Sequence, residues 1–173
     1  MSPFIKLLLG LALVLVLVGL LIVAIGAVLP KEHQARRSGR FRRPPRAVWD
    51  VIHNVDGYAE WRSEIERVER LPDSGGQTRW KEYSRGQVIT YQRVESKPTS
   101  RMVTMIADKT LPFAGRWVFV LEATPEGCNL SIVEDGEIKN PLFRFMSRFI
   151  FGYSGTIDAY FEALAKKLGG LAD

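Results

Sequence analysis

Between Glu64 and Glu134 the chain passes through six strand-sized segments in succession, with no segment of helical spacing between them. Ile65 to Leu71, Gln77 to Tyr83, Gly86 to Glu95, Met102 to Ala107, Gly115 to Ala123 and Cys128 to Glu134 are each rich in β-branched or aromatic residues, which suit a pleated, half-buried surface. Turn signals separate them at Pro72-Asp-Ser-Gly-Gly76, Ser84-Arg-Gly86, Lys97-Pro98 and Pro125-Glu-Gly127. Connections this short impose antiparallel pairing, because a parallel pair needs a crossover of about a dozen residues or more. In Gly115 to Ala123, Trp117, Phe119 and Leu121 share one face and Arg116, Val118, Val120 and Glu122 the other, so the aromatic face is expected to point inward. Gln87, Ile89, Tyr91 and Arg93 oppose Val88, Thr90, Gln92 and Val94 with neither face wholly apolar. Such mixed faces fit either a partly polar cavity or a wet outer face.

A sheet of this kind needs a cover, and the last third of the chain supplies one. Asn140 is a good N-cap and Pro141 suits the first helical position. From there Leu142, Met146, Phe149, Tyr153, Ile157, Tyr160, Phe161, Leu164 and Leu168 follow helical spacing. The pattern predicts one long helix to Leu168. Its load of Phe143, Phe145, Phe149, Phe151 and Tyr153 exceeds what one sheet-facing stripe needs, so a cavity is expected beside Gly152 and Gly155.

Ahead of the six strands, residues 34–43 read as an irregular first strand interrupted by arginines, and Pro44 to Ile52 as a short helix with proline in its first turn. Asp56 to Trp61 makes a second helical turn. The fold class is therefore α+β: a seven-stranded curved antiparallel sheet wrapped on a long C-terminal helix, with two short helices after the first strand.

Leu7 to Leu29 is 23 residues without a charge or a proline. As a helix it would reach about 34 Å against a hydrocarbon core of roughly 30 Å, long enough to span. A cleaved signal peptide competes, but its apolar core is usually about 7–15 residues. The chain thus divides into an N-terminal transmembrane anchor, 1–30, and a domain, 31–173. Only Lys6 precedes the span, whereas Lys31, Arg36, Arg37, Arg40, Arg42 and Arg43 follow it closely, which places the C-terminal domain in the cytoplasm. Residues 31–46 carry a net charge of +6 and residues 47–173 a net −2. The basic character is juxtamembrane and suits anionic headgroups, Arg36, Arg37 and Arg40 being the candidate contacts. A nucleic-acid surface would need its basic patch on the folded body, so no nucleic-acid partner is expected. Leu111 and Phe113, flanking Pro112, are unusually apolar for a connection between strands; they either cap the local core or dip into the membrane.

The order of elements, with Pro44-Pro-Arg-Ala-Val-Trp-Asp-Val-Ile52, Trp61 closing the second short helix and the Glu134 to Phe145 region, resembles the SRPBCC superfamily, the START and birch-pollen-allergen-like helix-grip proteins. Within it the chain looks like the bacterial polyketide cyclase/dehydrase and lipid-transport group. The likeness covers about residues 33 to 170 and implies a cavity between sheet and helix that takes an apolar small molecule or lipid. Its members range from carriers to cyclases and oxygenase subunits, so the fold does not settle activity.

The residues themselves narrow the chemistry. His33 and His53 are the two histidines, and an iron facial triad needs two histidines and a carboxylate around one open position. No metal site and no cofactor is expected, and no phosphate loop or dinucleotide fingerprint is present. The single cysteine, Cys128, reads as a small buried strand residue. Glu134, Asp135 and Glu137 read as a solvated edge or as partners for Arg144 and Arg148, and no catalytic residue is assigned. Asp158, Tyr91 and Arg93 are candidate polar handles in the cavity. The expected lining is Trp80, Tyr91, Met105, Trp117, Phe119, Phe149 and Tyr153. The leading expectation is a membrane-anchored binder of a hydrophobic small molecule or lipid. The alternatives are a cyclase- or dehydratase-like enzyme on a polyketide-type substrate and a tethered protein-interaction module.

Overall fold

The computed structural model describes residues 2–171. α1 (Pro3–Val28) is capped by Ser2, whose hydroxyl accepts from the Ile5 N–H at 3.3 Å, and its one buried residue is Gly26. Its 26 residues make a rod about 39 Å long. β1 (Glu32–Phe41), α2 (Pro45–His53), a single 3-10 turn (Val55–Gly57) and α3 (Tyr58–Trp61) follow. β2 (Arg67–Ser74), β3 (Gln77–Ser84), β4 (Gln87–Lys97), β5 (Arg101–Ile106), β6 (Phe113–Thr124) and β7 (Gly127–Ile138) come next without interruption. All pairs are antiparallel, in the order β1-β7-β6-β5-β4-β3-β2.

The strands alternate as their sequences require. Trp117, Phe119 and Leu121 of β6, Cys128, Leu130 and Ile132 of β7, and Ala35 and Phe41 of β1 share the inward face, and most are under a tenth exposed. β1 begins two residues earlier than Gln34 because its ladder with β7 runs to Glu32↔Glu137. β7 likewise continues past Glu134 to Ile138, whose N–H donates to the Lys31 carbonyl at 2.8 Å. The ends of β1, β5, β6 and β7 nearest to α1 thus lie together, with the Leu111–Phe113 connection among them: the Lys139 N–H donates to the Pro112 carbonyl at 2.9 Å.

The expected single C-terminal helix is broken. α4 (Pro141–Met146) starts as predicted, the Asn140 side chain accepting from the Leu142 and Phe143 N–H groups. It passes into a π turn over Ser147–Phe151 and stops at Gly152, whose φ of 75° lies in the left-handed region that a right-handed helix cannot use. α5 (Gly155–Leu168) then starts afresh and buries Ile157, Tyr160, Phe161 and Leu164 against the sheet. These four, with Trp49, Ile52, Phe119, Leu130 and Ile132, form the main core. Only α5 is gripped by the sheet; α4 turns away to pack on the end of α1.

α2 covers the sheet with Val48, Trp49 and Ile52. The Tyr58 hydroxyl of α3 donates to the Ile52 carbonyl at 2.7 Å, tying the two short helices together. A second core of Val55, Tyr58 and Trp80 lies beneath them, with Tyr91 packed against it.

Candidate functional site

Two cross-strand rows on the inward face hold the groups that can do chemistry. In one, Trp80, Tyr91 and Ile106 are register partners across β3, β4 and β5, and Gly115, Gly136 and His33 are partners across β6, β7 and β1. In the other, Arg93, Thr104, Trp117, Glu134 and Ala35 are aligned. The two glycines leave the first row without side chains at its centre. A Cβ on Gly136 would collide with the His33 ring, which occupies that space, whereas a Cβ on Gly115 would meet only the Asp135 carbonyl oxygen and the Gly136 Cα within 4 Å. His33 stacks on Tyr153 at 4.4 Å between ring centroids.

Glu134 is the main departure from the sequence-based expectation. Because β7 continues to Ile138, Glu134 shares the inward side with Cys128, Leu130 and Ile132 instead of ending a strand in solvent. Burial pushes its carboxyl up from the ordinary value, with a hydrogen bond from Trp117 opposing that shift. Its Oε2 is fully covered and has no protein partner. His33 Nδ1 and Arg93 Nε are covered and unpartnered in the same way, whereas the covered Tyr160 hydroxyl shares a hydrogen bond with that of Tyr58. Burial holds the His33 imidazole below its ordinary value, favouring the neutral ring. Buried polar atoms are nearly always paired, so Glu134 Oε2, His33 Nδ1 and Arg93 Nε on one inward surface mark a place suited to a further hydrogen-bonding group. Asp135 faces the other way, accepting from Gln34 Nε2 at 2.8 Å and Arg116 Nε at 2.9 Å.

The aromatic walls are built around Tyr160. Its ring lies 5.2 Å from Trp61, 5.4 Å from Trp117 and 5.8 Å from Phe119. At the far side Arg62 donates to Glu82 Oε2 at 3.1 Å and to Glu64 Oε1 at 2.8 Å, while Trp80 Nε1 donates to Glu82 Oε1 at 2.9 Å. The Arg62 guanidinium also sits over the Tyr58 and Tyr160 rings. Burial, reinforced by the Glu82 carboxylate, pushes the Tyr58 phenol up to about 12. The sequence reading passed over Arg62 and Glu82, although Glu82 lies two residues from Trp80 on one strand and so shares its face.

Of the residues expected to line a cavity, Trp80 and Phe119 are buried, and Tyr91, Trp117 and Tyr153 are half-buried on the inward surface. Met105 faces outward. Phe149 is 59% exposed and its ring packs against Phe145, on the segment that leaves the sheet. The region around Gly152 therefore opens outward instead of lining a pocket. Arg93 enters the interior but is committed to His53, donating to its carbonyl at 2.7 Å and lying 2.9 Å from its Nε2. Asp158 pairs with Arg37 at the surface, 3.5 Å away. Arg144 pairs with neither Glu134 nor Glu137 and turns to the end of α1. Arg36 and Arg37 lie midway along β1, and Arg40 near its far end.

A hollow of about 680 Å³ lies beside the Gly115–Gly136 pair, lined mainly by outward positions including Gln34, Met105, Arg116 and Asp135. A second, of about 320 Å³, lies at the far end of the sheet beside Arg40 and Phe41. Neither is lined by Trp80, Tyr91, Trp117 or Tyr160, whose rings fill the interior between sheet and α5.

The family model for polyketide cyclase / dehydrase and lipid transport matches residues 32–169, which is the whole sheet with its helices. The chain belongs to this family. Three solved structures show the family's fold at low identity. The di-domain aromatase/cyclase StfQ from the steffimycin biosynthetic pathway aligns with a TM-score of 0.66 at 11% identity, over 80% of this chain and 51% of that one. The chain thus spans about half the length of StfQ. The ZhuI aromatase/cyclase from Streptomyces sp. R1128 aligns with a TM-score of 0.63 at 13% identity, over 80% and 94% of the two chains. A START superfamily protein from Mycobacterium smegmatis aligns with a TM-score of 0.62 at 16% identity, over 79% and 97%. No curated protein matches the chain. The family match begins at Glu32, so α1 lies outside it.

Proposed function

We propose that this member of the polyketide cyclase/dehydrase and lipid-transport family is a membrane-anchored binding protein for a lipophile with an uncharged polar end, its domain held at the cytoplasmic face. The observation that carries the reading is the set of covered, unpartnered atoms, Glu134 Oε2, His33 Nδ1 and Arg93 Nε, on an otherwise aromatic inward surface beside Tyr160. An apolar body fits against Trp117, Phe119 and Tyr91, and a hydroxyl end can both donate to and accept from such groups, where a carbonyl end can only accept. Anionic ends suit the site poorly beside Glu134, whose carboxyl burial already holds toward its neutral form, and the interior cation Arg62 is paired with Glu82.

Binding requires the rings to part. Gly115 contributes no side chain to its row, so a longer side chain there would intrude on the inward layer. The test is a titration of the full chain in lipid nanodiscs with a long-chain alcohol and with the alkyl phosphate of equal chain length, read by tryptophan emission. Saturable binding of the alcohol, with the phosphate much weaker, is expected. Equal partitioning of both without saturation contradicts the reading.

A second reading, catalysis of the aromatase/cyclase kind named for StfQ and ZhuI, is favoured by Glu134 alone. A carboxyl raised by burial is better suited to hold and deliver a proton to a substrate hydroxyl than an ordinary carboxylate. Turnover of a polyketide-type substrate that vanishes in Glu134→Gln while binding persists would establish it.

A further inference from the structure

The segment that leaves the sheet after β7 ends in a patch of exposed apolar side chains. Leu142 and Phe143 are each 43% exposed, Phe149 59%, Ile150 63% and Phe151 65%. The patch is not free to sit anywhere. Pro141 is packed against Gly26 so closely that a Cβ on Gly26 would collide with the Pro141 carbonyl. Arg144 Nη1 donates to the Leu29 carbonyl at 2.7 Å and to the Ala27 carbonyl at 3.4 Å, two of the acceptors that the end of α1 leaves without intrahelical donors.

α4 is therefore fixed at the level where α1 ends. With α1 about 39 Å long and a hydrocarbon core of about 30 Å, that level is the boundary between acyl chains and headgroups. Charge points to the same surface. Between Lys139 and Gly155 there are two exposed cations, Lys139 and Arg148, beside the buried Arg144, and no acidic residue. Aromatic and aliphatic side chains interspersed with cations are the composition of elements that lie about 5–10 Å deep in an anionic interface.

We infer that α4 and the Ser147–Phe151 turn form a second membrane-contact element, lying in the lipid interface beside the end of α1. The inference rests on the reading of α1 as a span. It gives the domain a fixed attitude: Tyr153, two residues beyond Phe151, stacks on His33 at the end of the inward rows nearest to α1. That end then faces the bilayer, and a lipophile can pass between lipid and interior without crossing water.

The test uses the full chain with Cys128→Ala, reconstituted in vesicles of phosphatidylcholine and phosphatidylglycerol. Nitroxide labels are placed by Leu15→Cys, Ile150→Cys, Phe151→Cys and, as an aqueous control on the outward face of β4, Val88→Cys. Collisions with oxygen, which concentrates in lipid, and with a nickel chelate, which stays in water, are compared. Labels at 15, 150 and 151 are expected to favour oxygen several-fold over the label at 88. A lipid-exposed label at 15 with water-exposed labels at 150 and 151 overturns the inference and leaves the span intact. Labels at 150 and 151 shielded from both reagents overturn it in favour of a protein partner or a second copy. A water-exposed label at 15 overturns the span and the inference together. If Phe151→Cys does not reconstitute, Phe143→Cys supplies the second position.

Discussion

Arg144 Nη1 donates to the carbonyl of Leu29 at 2.7 Å, so a buried guanidinium of α4 closes the end of α1. α1 and the domain are joined by this contact and by the close approach of Gly26 to Pro141, and the short link through Lys31 is not their only connection. Gly26→Val is expected to separate α1 from α4 and lower the stability of the detergent-solubilised full chain by about 1–3 kcal/mol in urea unfolding, the range for overpacking a close contact. Gly19→Val is expected to change it little, because a Cβ there has no atom of the protein within 4 Å. Equal effects of the two substitutions would place no weight on the junction.

Glu134 makes stability depend on pH. Burial raises its folded-state pKa above the ordinary 4.5, so the neutral acid is the form the fold prefers. The sign follows: its contribution is most favourable below about pH 4.5, and is lost as pH rises through the raised folded value. Glu134→Gln is expected to leave stability near pH 4 almost unchanged and to increase it at pH 8. Thermal unfolding of the two proteins across that range checks this. A variant less stable than the parent at pH 8 would show that the hydrogen bond from Trp117 outweighs the cost of burying the carboxylate.

Tyr160→Phe removes the covered hydroxyl and its hydrogen bond with Tyr58 while keeping the ring among Trp61, Trp117 and Phe119. A buried hydrogen bond contributes about 0.5–1.5 kcal/mol. The variant is expected to lose about that much in urea unfolding and to bind a long-chain alcohol more weakly. Unchanged affinity for the alcohol would show that the hydroxyl does not face the ligand.

Sequence and structure agree where the signal is local. Period-two runs broken by Gly75-Gly76, Gly86, Pro98 and Gly127 mark all six later strands to within a few residues, although Pro72, read as part of the first turn, lies within β2. The break in the terminal helix was hidden, because Phe149, Tyr153 and Ile157 keep helical spacing straight through it and only Gly152 marks the stop. Glu134 was legible in principle: it continues the face of Cys128, Leu130 and Ile132, and the error lay in ending the strand too soon. Arg62 was not, since besides the nearby Glu64 and Tyr58 its buried partners, Glu82 of β3 and Tyr160 of α5, are far away in the chain.

Glu82 neutralises Arg62 inside the fold, with the two side chains 6% and 11% exposed. Glu82→Ala leaves that cation short of a partner and is expected to cost about 3–5 kcal/mol in urea unfolding. Glu82→Leu combined with Arg62→Met should recover most of the loss. A double variant as unstable as the single one would show that the pair is needed for more than charge balance.

The central claim is that the inward surface at Glu134, Tyr160 and His33 receives a lipophile. Native mass spectrometry of the full chain released from nanodiscs tests it most directly, with Gly115→Leu as the comparison because its side chain would fill the open place in the inward layer. The account predicts a lipophilic adduct of defined mass on the parent protein, lost in Gly115→Leu while unfolding behaviour is retained. The same adducts on both proteins, or none beyond the nanodisc lipids on either, would contradict it.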